Sequence, residues 1–532
     1  MSSYKNLLIP ILLLTISLLI AIYFRPILII DETRYVSVAW EMFDKKEFLV
    51  PHLNGLPYDH KPPLLFWLIN LDWFLFGINE TSIRFIPLLF AIGILILGYK
   101  IYKLLWPNDS YGAEIFPWVL VGGVAFSFYS TLLMFDIMLG FWVALAIYGG
   151  VKAILDDKIS SYAILTIAVA FGILTKSPVI LAHLLPLYLF APLWAPKRVE
   201  KSFYIKGLLA VVLGVALALI WAIPASIEGG ASYAKGILWE QYAGRVVDAF
   251  AHKRPFWWYI PWIPIVMMPW ILYRGFWVGV VRVFKERLDK GIEFLLIWLG
   301  GVLIIFSLIS GKQLHYIAPD FLAFALFIAR ALSLSREKLT KPYLFATIYL
   351  LFGFILILAP LFIKGKLLPY LDMKAFIISG GVLIFYAGYL FIKRFNSQKE
   401  IIHTLSIGGV LLIFAVHYSI NLYLKSQDLT RFSKIIDNLQ KSGVVVGHLG
   451  KYHDQFHFYG RLHKPLKIID DSKEKKSKEL REFIKNYPNG VIVTYSKRGL
   501  KYNKDVIFAS TKFRLKDVVL VKAKDWNRLV VK

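Results

Sequence analysis

The sequence contains no cysteine, which excludes disulfide bonds and metal sites built on thiolates. It also contains no glycine-rich phosphate loop and no evident dinucleotide-binding fingerprint, the two patterns that cradle nucleotide phosphates. We find no internal repeat and no low-complexity segment. These absences argue against a disulfide-stabilised domain, a nucleotide-binding protein and a repeat architecture.

Charged residues are scarce, and most carry the same sign. They make up 18% of the chain, with 61 Lys and Arg against 35 Asp and Glu, so the net charge is +26. In a soluble protein this balance would indicate nucleic acid. Here 58% of the residues are hydrophobic, against about 45–50% in soluble domains. We therefore expect the basic residues to lie beside anionic membrane lipids, with no nucleic acid partner.

Long apolar runs recur along the first four fifths of the chain. A helix crosses the hydrocarbon core of a bilayer with roughly 20 apolar residues. The run from Leu7 to Ile22 lacks a small-residue cleavage site, so we interpret it as an uncleaved first span. The pattern predicts an α-helical polytopic membrane protein with about 13 transmembrane helices. The predicted spans are 7–24, 82–102, 114–131, 137–154, 161–175, 178–194, 207–224, 258–273, 291–309, 317–334, 343–363, 375–392 and 402–424.

The distribution of basic residues predicts the orientation of these spans. Lys and Arg concentrate in the loops that follow even-numbered spans, which places those loops and the N-terminus in the cytoplasm. An odd number of spans then places residues 425–532 outside. This tail is strongly basic, but long domains cross the membrane largely regardless of charge. Its helical segments at 429–441 and 473–486 and its β-like segments at 491–494 and 518–521 predict a small α/β soluble domain. This domain is expected in the periplasm, after a transmembrane domain of residues 1–424.

Two long external loops are predicted at 25–82 and 225–257. In the first, Thr33 is a candidate N-cap, and Pro62 or Pro63 is suited to begin a second helix. Amphipathic helices of this kind suit the membrane interface. The apolar residues that define the first of them, at helical spacing, are Val36, Ala39, Trp40 and Phe43.

Polar side chains that are unusual near membrane spans all follow odd-numbered spans, so they share one external surface. Each has a simple structural explanation by itself: an interfacial lysine, a helix cap or an ion-pair partner. As a set they favour a catalytic site, because charged groups at span ends are costly unless paired or hydrated. Asp31 and Asp136 are the catalytic candidates. The candidates for substrate binding are Glu32, Tyr58, Lys61, Lys176, Arg254, Lys312 and Tyr316.

This mixture of carboxylates and cations suits transfer of a sugar from a polyprenyl phosphate. The leaving lipid phosphate needs fixed positive charge, which lysine and arginine supply. A carboxylate stabilises the oxocarbenium-like sugar carbon and accepts a proton if the acceptor is a hydroxyl, and Asp31 is our first choice for it. The missing nucleotide motifs also favour a lipid-linked donor over a nucleotide sugar.

A metal site is a weaker hypothesis. His60, Glu240 and His252 have side chains that bind zinc or a similar divalent ion. They are far apart in sequence and have no characteristic ligand spacing, and single histidines are more often structural. We expect no required cofactor, with a zinc-like ion as the alternative.

Several motifs resemble a known family. The segments DETRYVSVAWEM (31–42), VPHLNGLPYDHKPPLLFW (50–67), HKRPFWWYIP (252–261) and GKQLHYIAP (311–319) resemble loops of the aminoarabinose transferases that modify lipid A. Those enzymes belong to the protein O-mannosyltransferase-like group of C-type glycosyltransferases. The likeness covers roughly residues 25 to 320.

The resemblance implies roles for five of the candidates. Asp31 looks like the catalytic acid of the first loop, and Asp136 like the second acidic position. Tyr58, Lys61 and Tyr316 look like contacts of the donor phosphate. The family further implies inversion at the sugar carbon, thirteen spans and an external C-terminal domain.

Two departures from the family's pattern concern the donor. His60-Lys61-Pro62 stands where the family usually has Glu-Lys-Pro, and Thr175-Lys176-Ser177 stands where it has Thr-Lys-Gly. The first change removes a carboxylate beside His252, so neither the metal site nor the identity of the sugar follows from the resemblance.

The leading hypothesis is an inner-membrane glycosyltransferase that uses an undecaprenyl-phosphate-linked, aminoarabinose-like sugar, with lipid A as the favoured acceptor. The closest alternative transfers sugar to protein or another envelope glycan from a polyprenyl-phosphate donor. A lipid or sugar transporter is less favoured, because transporters place polar residues near the bilayer midplane. A sensor whose C-terminal domain binds a ligand is a further alternative.

Overall fold

The computed structural model describes residues 5–239, 253–285, 288–336, 341–470, 473–496 and 501–531. Ten helices in this part of the chain are long and apolar enough to cross a membrane. Each of the ten overlaps one predicted span, and the described helix ends at Lys176 before the next begins at Val179, as the sequence indicated. The ten are Lys5–Phe24, Ser82–Leu105, Phe135–Asp156, Ile159–Lys176, Lys201–Glu228, Lys290–Leu308, Leu314–Leu334, Tyr343–Leu361, Met373–Ile392 and Gln398–Ser419.

Three of the thirteen predicted spans are not single helices. The segment 114–131 consists of Ser110–Gly122 and Val124–Tyr129, separated by an extended Gly123. The segment 178–194 is divided into Val179–Leu189 and Ala191–Trp194. Glycine and proline at these breaks explain them, since glycine favours non-helical backbone and proline removes a helical hydrogen-bond donor.

The third interrupted span, 258–273, is rich in proline and is built from short helical pieces. It contains the 3₁₀ helices Phe256–Trp262 and Trp270–Leu272 and the single turn Ile263–Val266. Hydrophobic composition predicted the location of this segment, but not its broken backbone.

The first external loop folds into two helices and a short hairpin. The first-loop helix, Asp31–Lys45, begins at Asp31 rather than after Thr33, so the predicted N-cap at Thr33 is wrong. The second helix, Leu64–Phe76, follows Pro63 as predicted. Between them, His52–Leu53 pairs with Leu56–Pro57. The buried face of the first-loop helix includes Val36, Ala39 and Trp40.

The C-terminal segment forms a five-stranded mixed sheet with helices Thr430–Lys441 and Lys473–Asn486. The predicted helices at 429–441 and 473–486 and the β-segments beginning at 491 and 518 are present. The strands at 467 and 507 lacked a clear apolar alternation and were not predicted. In spatial order the strands are Lys467–Ile469, Val446–Leu449, Val491–Tyr495, Lys516–Lys522 and Ile507–Phe513.

The C-terminal sheet region packs directly on the first external loop. Trp40 Nε1 donates to the Leu462 carbonyl at 2.9 Å, and the Ser37 hydroxyl donates to the Asp454 carbonyl at 2.6 Å. The rings of Trp73 and Phe458 stack with centroids 5.3 Å apart. One hydrophobic core includes residues of the first loop, of membrane helices and of the C-terminal region, so the first-loop helix lies between membrane helices and the C-terminal sheet region.

Candidate active site

Five polar residues that are far apart in sequence meet beside the N-terminal end of the first-loop helix. Asp31 begins that helix, and Lys61 precedes the second loop helix. Asp136 lies in the first turn of Phe135–Asp156, and Lys176 is the last residue of Ile159–Lys176. Tyr316 lies in the 3₁₀ turn at the start of Leu314–Leu334. Four of the five positions lie in the first or last turn of a helix, and Lys61 lies three residues before the helix that begins at Leu64.

The centre of this cluster of side chains is a buried ion pair. Lys176 Nζ donates to Asp136 Oδ1 at 2.5 Å, and both side chains are at most 10% exposed. The same ammonium group lies 5.0 Å from the centre of the Tyr316 ring. The Lys61 ammonium lies 5.9 Å from the centre of the Phe135 ring. Lys61 and His315 both lie within electrostatic range of the Asp136 carboxylate. Two lysines and a histidine therefore surround one buried carboxylate.

Asp31 forms the exposed edge of the pocket. Its side chain is 54% exposed, in contrast to Asp136, and it is hydrogen-bonded to Arg34 one helical turn later. Asp31 lies within electrostatic range of His315 and of Tyr35. Burial, followed by the neighbouring Tyr58 and Asp31, raises the pKa of Tyr35 well above its usual value, so this phenol stays protonated. The accessible carboxylate is thus Asp31, and the buried one is Asp136.

Tyr58 lies between Asp31 and the helix that follows Pro63. Its ring is 5.3 Å from that of His60 and 6.3 Å from that of Phe66. It also acts electrostatically on Arg34 and Tyr35. The structure therefore places Tyr58 beside the Asp31 edge of the pocket.

Glu32 is buried away from the pocket, unlike its neighbour Asp31. Its carboxylate pairs with Arg25 at 2.9 Å and accepts the backbone N–H groups of Leu28 and Leu133, both at 2.6 Å. Arg25 also donates to the Thr131 carbonyl. These bonds join the start of the first-loop helix to the turn before Asp136. Because its carboxylate is fully engaged within the protein, we predict a positioning role for Glu32 rather than contact with substrate.

We expect Glu32→Gln to destabilise the protein by about 3–5 kcal/mol, because it leaves Arg25 as a buried charge without its partner. Unfolding of the purified protein in detergent measures the effect. The matched control is Asp31→Asn, one residue away and half exposed, which should unfold within about 0.5 kcal/mol of wild type. Equal stability of Glu32→Gln and wild type would contradict the positioning role.

Arg254 and Lys312 form a second basic cluster, where two loop segments pair. The Arg254 N–H donates to the Ser310 carbonyl at 3.2 Å, and Lys253 pairs with Gly311. Lys312 Nζ donates to the Arg254 carbonyl at 3.1 Å. Burial lowers the pKa of the Lys312 ammonium, which is 3% exposed. The cluster lies immediately before the 3₁₀ turn that carries Tyr316.

The predicted metal ligands fall only partly in the described structure. His60 is exposed, with Nε2 3.9 Å from Asp59 Oδ1. Glu240 and His252 lie outside the described residues. The zinc-like site therefore stays a prediction.

Arg34 and Tyr35 lie beside the candidate residues but were not among them, and His315, one of the polar residues after the ninth predicted span, had been given no role. Arg34 follows Asp31 by three residues, the spacing of an ion pair on a helix, which was a usable signal. His315 is adjacent to Tyr316 in the same motif. Tyr35 gave no signal, because an aromatic residue on an amphipathic helix is most simply a core residue.

Sequence comparison identifies relatives of this chain. Residues 60–221 match the family described as dolichyl-phosphate-mannose-protein mannosyltransferase. The chain is 30% identical over 375 residues to the undecaprenyl phosphate-alpha-4-amino-4-deoxy-L-arabinose arabinosyl transferase of Serratia proteamaculans, with 66% of each protein covered. It is 28% identical over 329 residues to the transferase of the same name from Pectobacterium atrosepticum, with 58% of this chain and 57% of that protein covered. The first match thus spans just under two thirds of the relative's length.

Solved structures show the same fold. The crystal structure of ArnT from Cupriavidus metallidurans bound to undecaprenyl phosphate matches with a TM-score of 0.75 and 14% identity over 97% of both chains. The oligosaccharyltransferase of Archaeoglobus fulgidus matches with a TM-score of 0.51 and 11% identity, covering 92% of this chain and 69% of that one. The resemblance found in the loop motifs and the predicted α-helical membrane fold are confirmed, and the chain is a multi-pass membrane protein. The predicted number of thirteen spans stays a prediction.

Proposed function

We propose that this chain, a relative of the undecaprenyl phosphate-aminoarabinose arabinosyl transferases with their fold, is an inverting glycosyltransferase that uses a polyprenyl-phosphate-linked sugar. The observation that carries the proposal is the cluster in which accessible Asp31 lies beside the cationic group around Asp136. Such a pocket provides a carboxylate for the sugar and positive charge for the phosphate, which are the two requirements of this reaction.

The cations act on the leaving group. Lys61 and Lys176 lie beside Asp136, and Tyr58 and Tyr316 offer hydroxyl donors at the edges of the same pocket. As the bond between the anomeric carbon and the phosphate oxygen breaks, these groups stabilise the growing charge on the lipid phosphate. Asp136 holds the Lys176 ammonium in place and limits the net positive charge of the pocket before the donor binds.

The carboxylate of Asp31 acts on the acceptor side. An acceptor oxygen forms the new bond to the anomeric carbon while the phosphate leaves from the opposite face, which inverts the configuration. When the acceptor is a hydroxyl, its proton passes to Asp31. When the acceptor is a phosphate, no base is needed, and Asp31 stabilises the positive charge on the sugar. The half-exposed position of this side chain suits either acceptor.

The proposed donor is undecaprenyl-phosphate-linked aminoarabinose, and the proposed acceptor is lipid A. The names of the relatives in Serratia and Pectobacterium support this donor, and the lipid A acceptor rests on the loop motifs. In this proposal residues 1–424 form the transmembrane domain in the inner membrane. Residues 425–532 and the active site lie in the periplasm, and no cofactor is required.

A transfer assay in proteoliposomes tests the proposal. With undecaprenyl-phosphate-linked aminoarabinose and lipid A, we expect modified lipid A and undecaprenyl phosphate in equal amounts, both measured by mass spectrometry. Vesicles without protein and vesicles without lipid A are the controls. Movement of the donor lipid across the bilayer without a covalent product would reject the enzyme and favour a transporter.

A second candidate is transfer of mannose or a similar sugar to protein, which the match of residues 60–221 to the mannosyltransferase family supports. The same vesicles, supplied with a polyprenyl-phosphate-linked mannose and an envelope peptide, separate the two. A glycosylated peptide without modified lipid A would favour this candidate.

A further inference from the structure

Three side chains with metal-binding chemistry meet where the C-terminal region packs on the first-loop helix. Glu41 lies near the end of that helix, and Asp454 and His457 follow the strand Val446–Leu449. One ligand atom from each lies within 4.8 Å of the other two. All three residues are buried, with relative exposures of 5%, 0% and 2%. They are separate from the metal ligands predicted at His60, Glu240 and His252.

The hydrogen bonds of this cluster leave one carboxylate oxygen unpaired. The Asn54 N–H donates to Glu41 Oε1 at 2.6 Å and also to Asp454 Oδ2, and the Gly55 N–H donates to Glu41 Oε2 at 2.9 Å. Asp454 Oδ1 is buried without a hydrogen-bond partner. It lies 3.7 Å from His457 Nδ1. An unpaired buried carboxylate oxygen is costly, so this atom requires a positively charged or donating partner.

The cluster buries two carboxylates beside a single imidazole. Lys45 Nζ is 3.6 Å from Glu41 and partly exposed, so it offsets part of one charge. The remaining charge is compensated by a shared proton or by a metal ion.

The unpaired oxygen is the one that lies 3.7 Å from His457 Nδ1. A cation bound between these two atoms would give that oxygen a partner. We propose that Glu41, Asp454 and His457 bind one divalent metal ion of the zinc or manganese class. Two carboxylates and one imidazole are ligands that such ions accept.

The spacing of the ligands fits this assignment. Ligands about 2.1 Å from a tetrahedral zinc ion are about 3.4 Å apart. The 3.7 Å between Asp454 Oδ1 and His457 Nδ1 is close to that value. The Tyr452 hydroxyl is 2.9 Å from the same nitrogen, so a bound ion replaces this hydrogen bond.

The ion would join the C-terminal region to the helix that carries Asp31. Glu41 and Asp31 lie on one continuous helix, Asp31–Lys45. Fixing Glu41 to Asp454 and His457 therefore orients that helix from its far end, while Glu32 fixes the near end. The role is structural, and it does not depend on the identity of the sugar or the acceptor.

Metal content and thermal unfolding of the purified full-length chain test the proposal. The protein is stripped with EDTA, dialysed against Zn²⁺ or Mn²⁺ and analysed by elemental mass spectrometry, in a His60→Ala background that weakens the other predicted metal set. We expect one ion per chain and an unfolding temperature that rises by a few degrees when the ion is added, because a ligand that binds only the folded state stabilises it. Asp454→Asn, which preserves the size of the side chain, should lose the bound ion and the rise in unfolding temperature.

The matched control is Asp437→Asn, the same substitution in the same region, where the carboxylate pairs with Lys441 instead. It should retain the ion and the thermal shift. An ion that persists in Asp454→Asn overturns the proposal. If Asp454→Asn does not fold, the His60→Ala protein that keeps Asp454 decides the question. The absence of a bound ion and of a thermal shift in that protein, at saturating Zn²⁺ and Mn²⁺, also overturns the proposal.

Discussion

Asp31→Asn is expected to reduce the rate of sugar transfer by about 10²–10⁴-fold, the usual contribution of a positioned carboxylate in proton transfer. The substitution keeps the size of the side chain and its polarity but removes the negative charge. The loss should appear mainly in kcat, because the carboxylate interacts most strongly with charge that develops in the transition state. Steady-state transfer in proteoliposomes, with the donor concentration varied, measures both constants.

Two companion measurements make this test specific. Asp31→Glu keeps the charge at a slightly longer reach and should recover part of the rate. Arg34→Met removes the hydrogen-bonding partner of Asp31 and should have a smaller effect, because the Asp31 carboxylate itself is retained. A rate for Asp31→Asn within threefold of wild type, together with normal stability, would exclude Asp31 as the catalytic carboxylate.

The clustering of the site could be predicted from the sequence because it depends on topology. Asp31, Asp136 and Lys176 follow the first, third and fifth spans, so counting spans assigns them to one side of the membrane. The third predicted span is broken at Gly123, but the assignment does not change, because the broken segment still lies between the same two loops. An irregular helix does not change the side of the membrane to which the next loop is assigned. It does change where helices end and how they cross, so these features could not be predicted in the same way.

The different roles of Asp31 and Glu32 could not be predicted from the sequence. They are adjacent, acidic and equally suited to a helix N-terminus. Only the position of Arg25 and the turn around Leu133 decide that Glu32 is buried, and that turn lies about a hundred residues later in the chain. The residues next to Glu32 in the sequence carry no information about a partner so far along the chain.

The contact between Glu41 and the C-terminal region could not be predicted from the sequence either. Asp454 is 413 residues after Glu41, and neither residue stands in a motif with ligand spacing. The sequence predicted an external α/β domain with several of its elements, because alternation and helical periodicity are local signals. How that domain packs on the first loop depends on side chains such as Trp40 and Phe458, whose partners become visible only in the folded chain.

The second large effect is expected at the buried ion pair. Lys176→Met should reduce kcat/KM by about 10²–10³-fold, because it removes one of the fixed donors for the leaving phosphate. It should also destabilise the protein by about 3–5 kcal/mol, since the Asp136 carboxylate is then buried without its partner. Transfer rates and unfolding of the purified variant measure the two losses separately.

The double variant Asp136→Asn, Lys176→Met separates catalysis from folding. Replacing both members of a buried ion pair with neutral groups is often close to neutral for stability, so we expect most of the lost stability to return. The activity should stay low, because the ammonium group that would contact the phosphate is still missing. If activity instead returned together with stability, the pair would serve only to hold two helix ends together, and Lys61 with the Arg254 and Lys312 cluster would have to compensate the phosphate charge without it.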